Sequence, residues 1–450
     1  MKKRFFIRAI CLLFLCASLI LCSLVSVSSS SYSEGLPDVS RAKNVYFANL
    51  ETGKVLLKKN PDGAIAPAST VKIMTGLLAL EHFEGKLDTP VTITAAMLSA
   101  SEGTSMRLAE GDVISAEELI YGVVCGGCND AAYALAYAVS GSVSDFVALM
   151  NQRAYSLGAE NTRYTNPTGW DDAKMVTTLT DTVRIAKEAL DNERYMEISS
   201  AVSRNVSFIS DKEDYTLNNR NALISSYYAQ GYTNKYADGM IAGMTDNGGY
   251  CVVTRATIGD ASYLCVVMGA NEKGDTINSF AIANDLIAYA AYNLGFVPIM
   301  KKGEYICDIP VDFALTQTKK GESSEPEVSA VTGADARVYI PLSADTENEI
   351  SYKYYLYSDR LSAPLTEGTR VGGVDFYYNG EIVDTVPLVL HKSVDVNSFT
   401  LKIDEIKNFI TGRTVIISLL CFLILFFIWF YFFDYKKRRR TAKKIRYKNH

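Results

Sequence analysis

The chain has 450 residues, enough for two or three compact domains of ordinary size. Hydrophobic residues make up 48% of it and the formal net charge is −5, a balance typical of globular domains with some additional apolar segments. The three histidines, His82, His391 and His450, are too few and too scattered for a Ser-His-Asp catalytic site or a histidine metal site. We therefore predict no metal and no other cofactor.

The N-terminal segment has the pattern of a secretory signal peptide. Its first eight residues include four basic ones, an apolar run follows over residues 9–25, and small polar residues fill positions 26–31. A basic start, an apolar stretch and a small-residue region in this order are typical of a cleaved export signal. The sequence therefore predicts a signal peptide over 1–31 and an extracytoplasmic location for the region that follows it.

The C-terminal region has the pattern of a membrane anchor. Residues 414–433 carry no charge, and a stretch of this length spans a bilayer core of about 30 Å. Isoleucines at helical spacing predict an amphipathic stalk over 396–413. Nine basic residues follow in the segment 434–450, and basic residues stay on the cytoplasmic side. We expect a single-pass protein of the cell membrane, with most of the chain extracytoplasmic and a basic cytoplasmic tail.

The charge of the external region argues against a polyanionic partner. Without the signal peptide and the tail, 32 basic residues face 49 acidic ones, a net charge near −17. A strongly acidic surface repels nucleic acid, so the basic tail is better explained by membrane topology than by nucleic-acid binding.

Strands and helices alternate in the first two thirds of the chain. A hairpin is predicted around the turn Glu51-Thr52-Gly53, and Ser115 to Glu118 has the pattern of a capping box at the start of a helix. Helices are predicted over residues 68–84, 129–141, 144–157, 180–191 and 277–294. Strands are predicted over residues 44–49, 55–59, 204–209, 239–245, 250–258 and 262–269. This order predicts an α/β domain over 37–298.

The pattern changes after that domain. Residues 301–392 are rich in strand-forming segments separated by glycine turns, including Gly333, Gly368 and Asn379-Gly380. We predict a separate, smaller β domain over 301–392.

The strongest chemical signal is a serine one helical turn before a lysine. Ser69 and Lys72 are three residues apart in the predicted helix, so the two side chains lie on the same face. A lysine that is desolvated among apolar residues loses proton affinity and can accept the proton of a serine hydroxyl. The pattern Ser-x-x-Lys alone is weak, because average composition gives it by chance about once or twice in a chain of this length.

The surrounding residues make the signal specific. The segments Leu50-Glu51-Thr52-Gly53-Lys54 and Ala66-Pro67-Ala68-Ser69-Thr70-Val71-Lys72 closely resemble the penicillin-binding serine D-alanyl-D-alanine carboxypeptidases. The resemblance extends over about 37–395 and includes Asn129-Asp130-Ala131-Ala132, Thr165-Asn166-Pro167-x-Gly169, Asn219-x-Asn221, Asp238-Gly239, Gly243-x-Thr245, Ala363-Pro364-Leu365 and Gly368-x-x-Val371-Gly372. It implies a serine β-lactamase/DD-peptidase-like α/β domain, then a small β-rich domain and one C-terminal transmembrane helix.

The resemblance also implies roles for individual residues. Ser69 would attack the bond between two D-alanines of a peptidoglycan stem peptide and form an acyl-enzyme, with Lys72 as general base. Asn129 would hold the substrate backbone and contact the lysine. The backbone N–H groups of Ser69 and Met244 would stabilise the oxyanion, and β-lactams would acylate Ser69 as inhibitors.

Two positions depart from the family pattern. The serine of the family's second motif, which relays a proton to the leaving amine, falls on Gly127. The third motif, Lys-Thr-Gly, is matched by Ile241, Ala242 and Gly243, with Met244 and Thr245 completing the substrate-binding strand. The family's lysine and threonine bind the terminal carboxylate of the substrate, and neither Ile241 nor Ala242 can do so.

Other groups could compensate for the missing serine, lysine and threonine side chains. Arg255 could present a cation to the site, although a position at the rim of the domain is the better interpretation. Cys125 and Cys128 are more consistent with separate packed thiols than with a disulfide, and least with a metal site. Water or Cys128 could replace the missing serine as proton relay.

These observations favour a carboxypeptidase that acts on peptidoglycan stem peptides. The alternative is a catalytically impaired homologue that binds peptidoglycan or serves as a scaffold, favoured by Gly127, Ile241 and Ala242. A secreted β-lactamase fits less well, since a β domain and an anchor suit a wall-bound peptidase. A pure adhesion module would not need Ser69 and Lys72 together.

Overall fold

The structure is a computed structural model that describes residues 35–99, 101–315 and 326–446. The predicted signal peptide over 1–31 lies outside these residues. The chain divides into two compact units between Gly295 and Phe296, and each is described by itself.

The first unit is a mixed α/β domain. Its strands are β1 Asn44–Asn49, β2 Val55–Lys59, β3 Pro90–Thr92, β4 Val113–Ser115, β5 Ser203–Val206, β6 Tyr215–Asn218, β7 Ile241–Thr245, β8 Gly249–Ile258, β9 Ala261–Ala270, β10 Glu272–Lys273 and β11 Thr276–Ile277. Its helices are α1 Val71–His82, α2 Ala95–Leu98, α3 Ala116–Val124, α4 Asn129–Ser140, α5 Val143–Ser156, α6 Leu179–Leu190, α7 Glu193–Ser200 and α8 Asn278–Asn293.

A five-stranded antiparallel sheet organises this unit. The strand order is β2-β1-β9-β8-β7, so β9 is central and β7 forms one edge. Nine of the ten residues of β9 are buried, as expected for a strand covered on both faces. Helix α8 packs on β8 and β9, and α6 contacts β1 and β9. Edge strand β7 therefore has one side free of sheet hydrogen bonds, and that side faces the turn that precedes α1.

Helix α1 lies inside the first unit and not on its surface. Residues 71–80 are all buried, and the helix contacts α3, α4, α5, α6 and α7. Apolar side chains surround it on all sides, so the helix has little amphipathic character. Any polar side chain on α1 must therefore find its partners within the protein.

Most predicted elements of this unit are confirmed. The Ser115 hydroxyl accepts a hydrogen bond from the Glu118 N–H at 3.2 Å, as the capping box predicts. The hairpin β1–β2 and helices α4, α5, α6 and α8 lie within two residues of their predicted bounds. The prediction missed α2, α7 and the short strands β3, β4, β6, β10 and β11, because these elements are too short to show a clear periodicity.

The second unit is a β-rich domain followed by two helices. Its strands are β12 Leu294–Met300, β13 Tyr305–Asp312, β14 Glu327–Thr332, β15 Ala336–Pro341, β16 Ile350–Leu356, β17 Leu361–Ser362, β18 Arg370–Tyr378 and β19 Glu381–Leu390. Six of them form a sheet in the order β16-β18-β19-β14-β13-β17. Asn379 and Gly380, both with positive φ, make the turn between β18 and β19, as an Asn-Gly hairpin requires.

The C-terminal helices are α9 Ser398–Thr411 and α10 Arg413–Arg446. Within α10, the segment Val415–Arg439 is long and apolar enough to cross a membrane, and its most apolar 18-residue window has a mean hydropathy of 2.8. In α9 the apolar side chains of Phe399, Ile403, Ile406 and Ile410 are exposed. The predicted stalk and transmembrane segment therefore fall on helices, and the span is a candidate by length and composition.

Candidate active site

The turn that precedes α1 carries the candidate nucleophile. Residues Ala68–Thr70 form a single 3₁₀ turn, and the Thr70 hydroxyl donates to the Pro67 carbonyl at 2.6 Å. Ala68 has a φ of +48°, a left-handed conformation that costs a residue with a side chain about 1–2 kcal/mol. This constrained backbone positions Ser69 at the helix start, where its own N–H has no partner in the helix ladder.

Lys72 lies next to Ser69, as the spacing predicts. Its Nζ is 3.3 Å from the Ser69 Oγ and donates to the Thr168 carbonyl at 2.7 Å. The side chain is only 1% exposed, and burial lowers the pKa of Lys72 from 10.5 to about 7. Lys72 is therefore neutral in about half of the molecules near pH 7. A neutral amine can accept the proton of the adjacent hydroxyl.

The loop 165–169 holds the Thr168 carbonyl in place. The Asn166 Oδ1 accepts hydrogen bonds from the N–H groups of Thr168 and Gly169 at 3.1 and 2.9 Å. The Thr75 hydroxyl donates to the Pro167 carbonyl at 2.7 Å. A Cβ on Gly169 would lie 1.8 Å from the Ala68 oxygen, so only glycine fits there. The Asn-Pro-x-Gly segment thus fixes the carbonyl that accepts the hydrogen bond of Lys72.

Asn129 is the first residue of α4, and it lines the cavity that Ser69 and Lys72 also line. Its Nδ2 donates to the Glu102 carbonyl, and its backbone N–H donates to the Thr104 carbonyl at 2.6 Å. Among the described residues its Oδ1 is buried without a hydrogen-bond partner, which suits an acceptor for a ligand N–H. Among the described residues no hydrogen bond joins Asn129 to Lys72, whose Nζ is bonded to Ser69 and Thr168, so the expected contact with the lysine stays a prediction.

Edge strand β7 forms the opposite wall. Ala242, Gly243, Met244 and Thr245 line the cavity together with Ser69. A Cβ on Gly243 would lie 2.3 Å from the Ser69 Oγ, so this glycine permits the close approach of strand and nucleophile. Ile241 is 1% exposed and packs in the hydrophobic core, so the structure does not bring this predicted residue into the site.

The cavity has a volume of about 370 Å³. Gly127 also lines it, with a φ of +67°, and offers no side chain where the family serine would stand. Cys125 and Cys128 are separate, buried thiols. Burial raises the pKa of Cys125 to about 12 and also raises the pKa of Cys128. Neither thiol supplies a thiolate near neutral pH, and neither lines this cavity.

Two arginines are relevant to the missing positive charge, and the first takes the rim position that the sequence analysis favours. Arg255 does not line the cavity; its Nε is paired with the Asp238 Oδ1 at 2.7 Å, which is the rim position. Arg220 does line it, and the sequence analysis missed it. Its only sequence signal is its place between Asn219 and Asn221, two residues that the family resemblance includes.

Comparisons with known proteins agree with this arrangement. A family model described as D-alanyl-D-alanine carboxypeptidase matches residues 32–272, more than half of the chain. A second, described as penicillin-binding protein 5, C-terminal domain, matches residues 297–396. Both parts of the predicted fold, the peptidase-like α/β domain and the β-rich domain after it, are thereby confirmed.

Individual relatives cover most of the chain. The D-alanyl-D-alanine carboxypeptidase DacC of Escherichia coli is 32% identical over 77% of this chain and 83% of its own. DacF of Bacillus subtilis is 28% identical over 80% of this chain and 87% of its own. The crystal structure of penicillin-binding protein 5 from Haemophilus influenzae has a TM-score of 0.56 and 26% identity, covering 80% of this chain and 99% of that chain. This chain therefore belongs to the serine D-alanyl-D-alanine carboxypeptidase family.

Proposed function

We propose that this protein removes the terminal D-alanine from peptidoglycan stem peptides through an acyl-enzyme on Ser69. One observation carries the proposal: the Ser69 Oγ lies 3.3 Å from the amine of Lys72, a buried lysine whose pKa is about 7. A weak nucleophile beside a base of this pKa fits acyl transfer at neutral pH. The proposal includes the domain boundaries and the roles of the individual site residues as the sequence predicts them.

The reaction proceeds in two steps. In the first, the Ser69 Oγ attacks the carbonyl between the two D-alanines while its proton passes to the neutral amine of Lys72. The N–H groups of Ser69 and Met244 stabilise the oxyanion, and Asn129 binds the substrate backbone. The C–N bond then breaks, and the leaving D-alanine takes the proton that Lys72 holds. In the second step, water hydrolyses the ester and restores the Ser69 hydroxyl.

The altered motifs support a second candidate. Gly127 cannot relay the proton to the leaving amine, and Ala242 offers no hydroxyl to the substrate carboxylate. Each lost charge-assisted hydrogen bond is worth about 1.5–3 kcal/mol, or about one to two powers of ten in rate. A catalytically impaired homologue that binds peptidoglycan or acts as a scaffold is the alternative that these positions favour.

The same site would also react with β-lactams. A β-lactam presents a strained amide to the nucleophile and a carboxylate nearby, as the dipeptide does. We infer that it acylates Ser69.

We also infer that α10 anchors the protein in the cell membrane. Val415–Arg439 is long enough to span the bilayer, and the basic residues at its C-terminal end favour a cytoplasmic tail. The two units before α9 would then face the cell wall, where stem peptides are found.

We expect the full chain to be labelled by a fluorescent penicillin and to release D-alanine from a D-Ala-D-Ala peptide. Ser69→Ala should abolish both signals, because among the described residues only the Ser69 hydroxyl is hydrogen-bonded to Lys72. In-gel fluorescence and an assay for free D-alanine provide the measurement. Loss of both signals in the unmodified protein would contradict the enzyme and favour the scaffold alternative.

The rate of penicillin labelling should rise with pH and level off above about pH 7. Only the neutral amine of Lys72 accepts the Ser69 proton, and with a pKa of about 7 the neutral fraction falls about tenfold for each pH unit below that value. Labelling rates measured from pH 5 to 11 test this. An inflection near pH 10, where an ordinary lysine titrates, would show that Lys72 is not desolvated as described.

Gly127→Ser should increase turnover of the peptide by about tenfold or more, since it restores a hydroxyl that can relay the proton. The space exists, because a Cβ at this position would lie 3.6 Å from the nearest atoms of Arg220. The positive φ should cost about 1 kcal/mol of stability. Gly127→Ala carries the same backbone cost without the hydroxyl, so equal rates for the two variants would contradict the relay.

The full chain should remain in the membrane fraction after carbonate washing, because α10 is a spanning helix rather than a peripheral one. A chain that ends at Gly412 keeps α9 but lacks α10, and we expect carbonate to extract it. Sedimentation and immunoblotting measure the two fractions. Extraction of the full chain would contradict the transmembrane anchor.

A further inference from the structure

Arg220 places a guanidinium group in the catalytic cavity. It lines this cavity together with Ser69, Lys72 and Gly127, and it is half-buried. Within residues 35–99, 101–315 and 326–446 its side chain forms no ion pair and no hydrogen bond; it stacks on the Tyr228 ring at 4.0 Å. Arg255, by contrast, lies outside the cavity and is paired with Asp238.

The backbone holds this arginine firmly. The Arg220 N–H donates to the Cys125 carbonyl at 2.9 Å. On one side, the Asn219 Nδ2 donates to the Ala201 carbonyl at 2.8 Å, and on the other the Asn221 Nδ2 donates to the Gly239 carbonyl at 3.1 Å. Two buried amides thus fix the segment, and the guanidinium is presented to the cavity by a preorganised support.

The side chain of Arg220 occupies the region beside Gly127. Its Cβ and Cγ would lie 3.6 Å from a Cβ at Gly127, so the arginine stem packs where the backbone lacks a side chain. The serine of the family's second motif falls on Gly127, and this serine serves the leaving D-alanine. Arg220 therefore lies on the side of the cavity where the departing residue must be held.

The charges that line the cavity leave one group suited to a carboxylate. Lys72 must be neutral to act as a base, and Ile241 and Ala242 carry no charge. Asp171 and Asp246 also line the cavity but repel an anion. Of the lining residues, Arg220 is the one cationic side chain that is not also needed as the base.

We propose that Arg220 binds the terminal carboxylate of the peptide and so makes the site specific for a free C-terminus. The proposal rests on the function inferred above and identifies the group that replaces the lysine and threonine of the family's third motif. A guanidinium can bind both oxygens of a carboxylate in parallel hydrogen bonds, whereas an amide terminus offers it a single oxygen.

Peptide binding to the full chain in detergent tests this without turnover. In a Ser69→Ala background, calorimetry compares diacetyl-L-Lys-D-Ala-D-Ala with the same peptide carrying a C-terminal amide. We expect the acid to bind about 10- to 100-fold more tightly than the amide. Arg220→Gln should reduce this ratio to below about threefold by weakening the acid alone, and Arg220→Lys should retain part of it.

Arg107→Gln is the matched control. Arg107 lines the neighbouring cavity together with Arg220, but not the cavity that contains Ser69. Its substitution therefore removes an equal charge close to the site. The acid-to-amide ratio should not change in this variant. Melting temperatures of all variants show whether each one is folded.

Three results would overturn the proposal: no preference for the acid in the Ser69→Ala background, an unchanged preference in Arg220→Gln, or equal loss of acid and amide binding in that variant. The last result would assign Arg220 a structural role. Absence of turnover in the unmodified enzyme together with a preference that depends on Arg220 would contradict the proposed reaction while supporting this inference.

Discussion

The burial of one amine, that of Lys72, determines how the rest of the first unit is built. An ammonium group at 1% exposure would be expensive, so the protein keeps the amine in a state that is half neutral near pH 7 and gives it one good acceptor, the Thr168 carbonyl. That acceptor belongs to the loop 165–169, which is itself fixed by Asn166 and Thr75. In the proposed reaction Lys72 must be desolvated to act as the base, which accounts for the central position of helix α1.

The chemistry also requires two other elements to approach the start of α1 very closely. Strand β7 reaches Ser69 through Gly243, and the loop 165–169 reaches Ala68 through Gly169. Both approaches depend on a missing side chain. The strained φ of Ala68 is a consequence of the same crowding, since the backbone must turn sharply to expose the Ser69 hydroxyl between them.

The parts of the site that were predictable from sequence are those encoded locally. The helical repeat brings Ser69 and Lys72 together, and the resemblance to the family singles out that pair and Asn129. The Thr168 carbonyl could not be found in this way, because a backbone acceptor has no residue signature. Arg220 was missed for a related reason: its distance from Ser69 is set by the pairing of segments 90 or more residues apart, and sequence does not give that register.

The third motif illustrates the same limit. From sequence, Ile241 and Ala242 seem to be equivalent losses, but adjacent strand residues point to opposite faces. Ile241 has joined the hydrophobic core, whereas Ala242 still lines the cavity. Compared with the lysine of the family motif, Ile241 differs in both packing and charge. Compared with the threonine, Ala242 differs only in the groups that the cavity offers to a substrate. The two positions therefore differ in how readily each could be reversed.

The glycines that admit β7 and the loop to Ser69 have a consequence for escape from inhibitors. A chain under selection by β-lactams cannot change Gly243 or Gly169 without pushing the strand or the loop off the nucleophile, so these positions are closed to adaptation. Variation can enter only where a side chain projects into the cavity without supporting its walls, as at Ala242. The shape of the backbone therefore limits which substitutions can confer resistance, and their effect on the affinity for the inhibitor matters only within that limit.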